Sequence, residues 1–243
     1  MPRFSLQKLS KEQKEIRKKI LTYSYFSNLS HIGSCLSAAD LIDAVYKIKR
    51  PEDKFVLSNG HAGVALYFVL HKYGFIKNEK EIKNLFVHPD RNHKLGIHAS
   101  SGSLGQGLPI ALGMALADKK KTIYCMVSDG ECAEGSIWEA LRVASDNAIQ
   151  NIKIIINANG WGAYDKLDST LLRRRISSFG ATLVTIKGHN TKDIIRALKT
   201  KTKKPLIIFA KTISDQLPFL KGQDAHYYTM QEKDYQQALH LLQ

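Results

Sequence analysis

Tyr124 to Asp165 is the stretch that most constrains the fold, because two apolar runs in and beside it stop at turns of the same chemical kind. Ile123 to Val127 is short and β-rich, and it ends abruptly at Ser128-Asp129-Gly130. It reads as a buried parallel strand running into a turn. From about Glu134 to Ile149 the pattern becomes helical, with Ile137, Trp138, Leu141 and Ala144 on one face. A second buried strand, Ile152 to Ile156, ends at Asn157-Ala158-Asn159-Gly160. The unit is β-α-β. Its two strands finish at the same edge of a parallel sheet, the edge where open α/β sheets bind ligands.

Asp129 and Asn159 then lie side by side, although about thirty residues separate them in sequence. A carboxylate, an amide oxygen and a loop carbonyl make a hard, all-oxygen partial shell of the kind that Mg²⁺ takes beside substrate phosphates. Gly130 lets the backbone come close to a diphosphate. A single Asp-Gly or Asn-Gly is an ordinary strand-end turn; two at this spacing favour a ligand site.

This stretch resembles the thiamine diphosphate motif, a Gly-Asp-Gly followed some thirty residues later by Asn. More narrowly, Asp129-Gly130-Glu131, Glu134-Gly135, Trp138-Glu139-Ala140 and Asn159-Gly160-Trp161 resemble the transketolase family. The resemblance implies Mg²⁺ (or Ca²⁺) held by Asp129, Asn159 and the backbone carbonyl of Trp161, with Gly130 and Glu131 beside the cofactor diphosphate. Ser128 stands where the motif has Gly, and Asn157 where the family often has Asp. The second change is expected to loosen the support of Asn159.

Earlier in the chain a long helix is expected from Leu9 to Asn28, with Ser10 as N-cap. A polar loop follows through His31-Ile32-Gly33-Ser34, and Ser37 is expected to cap a helix from Ala38 to Ile48, with Asp40 in its first turn. The family has His-Pro-Gly where this chain has His31-Ile32-Gly33, which implies substrate contact by His31. A strand at Phe55 to Ser58 leads through Asn59-Gly60-His61 into a helix ending at Tyr73. The string DKFVLSNGHAGVALYFVLHKYGF resembles the family almost throughout and implies cofactor phosphate contact by His61. From His88 to Gly107 the chain reads as a long functional loop. Its second half, Gly96 to Gly107, resembles the family's cofactor loop, so Gly102, Ser103 and Leu104 are implied beside the thiazolium and diphosphate. His98 replaces a residue that is usually acidic in relatives.

A helix from Leu108 to Ala117 carries small residues suited to close packing beneath a site. Beyond the central unit come a basic helix, Ser169 to Ser178, a strand, Thr182 to Ile186, and a helix from Thr191 to Lys199 capped by Thr191. A strand at Leu206 to Ala210, a polar loop from Ser214 to Gln223 and a last helix from Gln231 to Leu242 complete the pattern. Gly188-His189-Asn190 resembles the family's Gly-His-Asp and reads as a strand–helix turn. Relatives place a cofactor- and substrate-contacting histidine shortly after the last strand, and His226 is its counterpart here.

The expected fold is α/β, an open, mostly parallel sheet with helices on both faces, built as one domain over residues 1–243. No apolar run has the length to cross a bilayer, and Met1-Pro2-Arg3 is followed by no apolar signal segment, so neither membrane insertion nor secretion is expected. Cys35, Cys125 and Cys132 form no C-x-x-C pair, which fits a reducing cytoplasm and argues against zinc. The net charge of +14 gathers at Lys8–Lys19, Lys119–Lys121, Arg173–Arg175 and Lys199–Lys204. These clusters sit at element ends with few aromatics among them, which disfavours a nucleic-acid partner. Anionic substrates, an acidic partner and a basic proteome remain open explanations.

The resemblance covers only the diphosphate-binding domain of a transketolase. It therefore implies the amino-terminal subunit of a split enzyme, a two-carbon ketol transferase on sugar-like substrates. The pyrimidine-binding and C-terminal domains, with the activating Glu, are expected on a separate chain, in a heterotetramer of two copies each. Another thiamine diphosphate-dependent carbon–carbon lyase or ligase of specialised metabolism, or a non-catalytic scaffold on the same fold, are the alternatives.

Overall fold

Each apolar run is followed by a connection far longer than a hairpin, long enough to return the chain to the same end of a sheet as parallel strands require. The computed structural model describes residues 5–162 and 164–243. The Met1-Pro2-Arg3 start therefore lies outside the described residues. Among these, five strands form one sheet: β1 (Lys54–Leu57), β2 (Ile123–Ser128), β3 (Ile152–Ala158), β4 (Thr182–Lys187) and β5 (Leu206–Lys211). Their order is β1-β2-β3-β5-β4, and every neighbouring pair is parallel. The expected α/β architecture is borne out, and the sheet is wholly rather than mostly parallel.

The α-helices are α1 (Lys11–Phe26), α2 (Ile32–Ile48), α3 (Gly63–Lys72), α4 (Gly107–Ala117), α5 (Gly135–Asp146), α6 (Ser169–Ser177), α7 (Thr191–Leu198) and α8 (Glu232–Leu241). The strand pleat divides the core between them. Tyr124, Met126, Ile155 and Ile208 join α1, α2, α3, α7 and α8 on one face. Cys125, Val127, Ile154, Ile156 and Phe209 join α4, α5 and α6 on the other. Both faces are covered, which is why these strands read as continuous apolar runs.

Helix starts show where local signals were sufficient. Ser10 caps α1 in a reciprocal capping box with Gln13, as its position predicted. By contrast α2 begins at Ile32, well before Ala38, so Ser37 caps nothing. Ser37 instead sits inside the helix, donating to the Ser34 carbonyl at 2.9 Å and accepting from the Asn157 amide at 2.9 Å. The glycine and serines of residues 33–37 resemble a loop, but tertiary partners supply what helix propensity lacks. Asn190, not Thr191, caps α7, its side chain accepting from Lys192 N and Asp193 N. The expected helix to Ile149 stops at Asp146, because Ala148 takes a left-handed φ of 45°. The expected polar loop after β5 is anchored by Leu217 and Leu220, both buried.

Candidate functional site

The carboxyl ends of β1, β2 and β3 deliver Ser58, Ser128 and Asn159 to one edge of the sheet. A cleft of ≈ 170 Å³ lies there, walled by His31, His61, His88, His226, Gly130 and Trp161 among others. A wider groove of ≈ 510 Å³ beside Trp138 and Phe179 is shallower and carries one charged side chain, Arg175. Convergent polar groups distinguish the histidine cleft.

Four imidazoles meet in it. Ring centroids are 5.8 Å apart for His31 and His61, 5.7 Å for His31 and His88, and 6.0 Å for His61 and His226. Burial, and then the neighbouring rings, pull His61 down to about 3 and His31 to about 4; burial also lowers His226. These three side chains are therefore neutral at physiological pH and act as hydrogen-bonding groups rather than charges. His31 holds a left-handed φ of 62° at the N-cap of α2, and its N–H donates to the His226 carbonyl at 2.8 Å. A non-glycine residue kept there is strained by its surroundings, a feature that clusters at functional sites.

Asp129 and the loop after β3 are joined directly. Gly160 N–H donates to Asp129 Oδ2 at 2.7 Å, and Trp161 N–H donates to Asn159 Oδ1 at 3.0 Å. Asp129 is buried, bonded only to backbone N–H groups among the described residues. Burial pushes its carboxyl up to about 7. A carboxylate without a countercharge in such a place fits a divalent cation. Among the described residues no group of three or more His, Cys, Asp or Glu side chains is poised for a metal. A cation here would rest on carboxylate, amide and carbonyl oxygens, with a ligand's oxygens completing the shell.

Of the residues implied at the cofactor or its metal, Asp129, Asn159, Glu131 and Ser103 do not line the cleft; Asp129 is buried behind Gly130, which does. Glu131 is fully buried beneath the cleft rather than on its wall. It accepts from Ser58 Oγ at 2.6 Å, Gly105 N at 2.9 Å and Ser128 N at 3.0 Å, tying three loops together. Gly102 and Leu104 line the cleft, whereas the side chain of Ser103 is exposed and does not. The departures from the family pattern are locally satisfied. Ser128 Oγ accepts from Glu131 N at 3.2 Å, completing a reciprocal pair that glycine could not make. Asn157 contacts Thr212 and Ser37, not the Asn159 side chain, so the expected loosening has no direct route. His98 stands beside His93 with centroids 5.9 Å apart and does not line the cleft.

His88 and Tyr227 went unmarked by sequence reasoning, yet both line the cleft. The only signal for His88 was its position before Pro89 at the head of a long loop. Gly60 explains why the turn after β1 needs a small residue. A Cβ there would stand 2.6 Å from Gly102 N and 2.7 Å from Ser101 C. Gly60→Ala is expected to displace the Gly102 loop and cost about 1–3 kcal/mol in urea unfolding, the usual range for overpacking. An unchanged midpoint would contradict this close approach.

Residues 27–240 match the family described as transketolase, thiamine diphosphate binding domain. The chain belongs to the transketolase family. It is similar to the transketolase of Pongo abelii, 32% identical over 85% of this chain. It spans 37% of that relative's length. An apulose-4-phosphate transketolase subunit of Phocaeicola vulgatus is 30% identical over 84% of this chain and 82% of its own length. Among solved structures, the transketolase of Campylobacter jejuni superposes with a TM-score of 0.81 at 27% identity, covering 95% of this chain and 42% of that one. The family match extends from the end of α1 to α8, so the thiamine diphosphate-binding domain accounts for nearly the whole chain.

Proposed function

We propose that this chain is the diphosphate-binding subunit of a two-subunit transketolase-like enzyme that moves a two-carbon ketol unit between sugar-like substrates. The observation that carries this reading is the buried, uncompensated Asp129 joined to the Asn159–Trp161 loop at a cleft walled by four histidines. Mg²⁺ would rest on Asp129, Asn159 and the Trp161 carbonyl, and the diphosphate along Gly102, Leu104 and Gly130. When bound, thiamine diphosphate supplies the nucleophilic carbon that takes up the ketol fragment. The chain's own part is binding and orientation. His31, His61 and His226 offer neutral donors and acceptors to sugar and phosphate oxygens without introducing charge, and His88 adds a fourth ring to the wall. Glu131 holds Gly105, and with it the loop that the diphosphate would follow.

The pyrimidine-binding domain and its activating carboxylate would come from a separate chain, two copies of each forming the enzyme. The relative from Phocaeicola vulgatus supports this division, since it is named as one part of a transketolase and most of its length is matched. A cytoplasmic setting agrees with three free, buried cysteines. The purified chain is expected to show no ketol transfer, and addition of the partner subunit with thiamine diphosphate and Mg²⁺ to restore it. The measurement is product analysis with a ketose donor and an aldose acceptor. Transfer by the single chain would overturn the division of labour; no transfer and no cofactor binding in the assembled pair would overturn the enzyme reading.

A further inference from the structure

His226 closes the short 3-10 turn Gly222–His226, and its ring forms part of the cleft wall. Its carbonyl accepts from His31 N–H at 2.8 Å, and its Nδ1 lies 2.8 Å from Ser34 Oγ. Nε2 is buried and has no hydrogen-bond partner among the described residues. Ser34 is itself buried on α2, and its hydroxyl has that single partner among the described residues.

Counting hydrogens decides the direction of this bond. A serine hydroxyl has one hydrogen to donate, and a neutral imidazole carries one N–H. If His226 donated from Nδ1, the buried hydroxyl hydrogen of Ser34 would be left without an acceptor, a costly arrangement that native interiors avoid. If Ser34 donates to Nδ1, both of those atoms are satisfied and the ring hydrogen resides on Nε2, the single buried polar atom of the pair left for a ligand oxygen. The reverse direction would strand two, the hydroxyl hydrogen and the Nε2 lone pair. We propose that Ser34 is a positioning residue that holds His226 as the Nε2–H tautomer, so that His226 presents a hydrogen-bond donor, not a base, to an oxygen acceptor in the cleft.

Ser34 is braced for this role. Thr212 Oγ1 donates to Asn157 Oδ1 at 2.5 Å, Asn157 Nδ2 donates to Ser37 Oγ, and Ser37 Oγ donates to the Ser34 carbonyl. The direction of that series depends on the amide of Asn157. An ionised aspartate at 157 has no donor to offer Ser37. The acceptor that matches a fixed, buried Nε2–H is an oxygen bearing negative charge, either of a diphosphate or of a sugar carbonyl as charge develops on it. The identity of that ligand rests on the proposed function; the tautomer does not.

The test is nitrogen-15 NMR of the full chain labelled at its histidine rings, with the His226 signals assigned by their loss in His226→Gln. In the wild type, couplings to the ring protons are expected to place the hydrogen on Nε2. In Ser34→Ala the preference is expected to fall roughly tenfold, the worth of one hydrogen bond, so that the Nδ1–H form becomes measurable. A dominant Nδ1–H form in the wild type, or an unaltered tautomer ratio in folded Ser34→Ala, would overturn the proposal. Inorganic pyrophosphate with Mg²⁺ is expected to move the Nε2–H resonance if the acceptor is a diphosphate oxygen. Movement only when a ketose joins the cofactor-loaded complex with the partner would identify a sugar oxygen. Binding of both without movement would overturn the donor role. In the loaded complex, His226→Gln, whose amide places a donor near Nε2, is expected to retain more affinity than His226→Asn. Failure of every preparation to bind pyrophosphate or cofactor, with the tautomer as assigned, would instead defeat the functional reading.

Discussion

Replacing Asp129 with alanine is expected to abolish Mg²⁺-dependent binding of thiamine diphosphate. Removing a partner that only orients a metal ligand already costs about 10–100-fold, so loss of the one carboxylate in this shell is expected to cost at least on the order of 100-fold. Calorimetric titration of the chain together with its partner measures it, and retained binding would remove Asp129 from the site. The same carboxyl sets a pH dependence. Burial raises it to about 7, so below that value a proton competes with the cation. Cation affinity is expected to fall by about tenfold per pH unit below about 7 and to level off above it. A flat profile between about pH 6 and pH 8 would contradict this account.

Stability of the cation-free chain should move in the opposite sense. A carboxyl whose folded pKa lies above its unfolded value destabilises the fold as pH rises from the unfolded value towards the folded one. From an ordinary value of 3.8 to about 7, the penalty reaches about 4 kcal/mol in neutral solution. Asp129→Ala escapes it, less about 1 kcal/mol for each backbone hydrogen bond it gives up. The variant that cannot bind is thus expected to unfold at higher urea than the wild type near pH 8, and to lose that advantage near pH 4. On the proposed function, that penalty is the cost to the empty fold of keeping a buried carboxylate for the cation.

The central β-α-β unit was legible because each of its signals is local: apolar runs for buried strands, and short oxygen-bearing residues at their ends. The pairing of Asp129 with the Asn159 loop followed from topology alone, since a crossover helix returns the chain to the same sheet edge. The start of α2 was not legible. Ser34, Ser37 and Asp40 look like cap and loop residues, yet each is used inside the helix by a partner distant in sequence: His226, Asn157 and Arg17. His88 was missed for a related reason. Its loop has no periodicity, and only the folded chain carries it to His31. Gly188-His189-Asn190 was read as a turn, and Asn190 does cap α7. The same reading overlooked His189, whose Nδ1 lies 2.7 Å from Asp40 Oδ2.

That last contact belongs to the most deeply buried charge pair among the described residues, and breaking it is expected to give the largest loss of stability. Arg17 meets Asp40 in a two-bonded fork, Nη1 to Oδ1 at 2.9 Å and Nη2 to Oδ2 at 2.7 Å, with both side chains at most 2% exposed. The remaining guanidinium hydrogens go to Gln216 Oε1 and to the carbonyls of Gln13 and Leu36. Burial by itself would raise the Asp40 carboxyl, but Arg17 and His189 hold it well below the usual carboxylate range. Arg17→Ala leaves that buried carboxylate with only the His189 ring beside it, and breaking a buried ion pair in this way is expected to cost about 3–5 kcal/mol. Against a typical total of about 5–15 kcal/mol, such a loss leaves little reserve. The joint replacement Arg17→Met with Asp40→Leu is expected to recover most of it, because an apolar pair of similar volume avoids desolvating two charges. Because the folded pKa of Asp40 is depressed, its contribution is complete above the unfolded value and fades only as pH falls through the folded one. The deficit of Asp40→Asn relative to wild type should accordingly be constant from about pH 5 to pH 8 and narrow only in strong acid. Urea unfolding across that range measures it, and a deficit under about 1 kcal/mol for Arg17→Ala would show that the pair contributes no more than a surface ion pair. The network also reaches the site. Gln216 bonds Arg17 and the Leu36 carbonyl, clamping to α2 the loop that continues to His226. In Arg17→Ala, cofactor affinity is therefore expected to weaken along with stability, since the loop that carries His226 to the cleft loses its Gln216 tie to the ion pair, while the loops joined by Glu131 keep theirs.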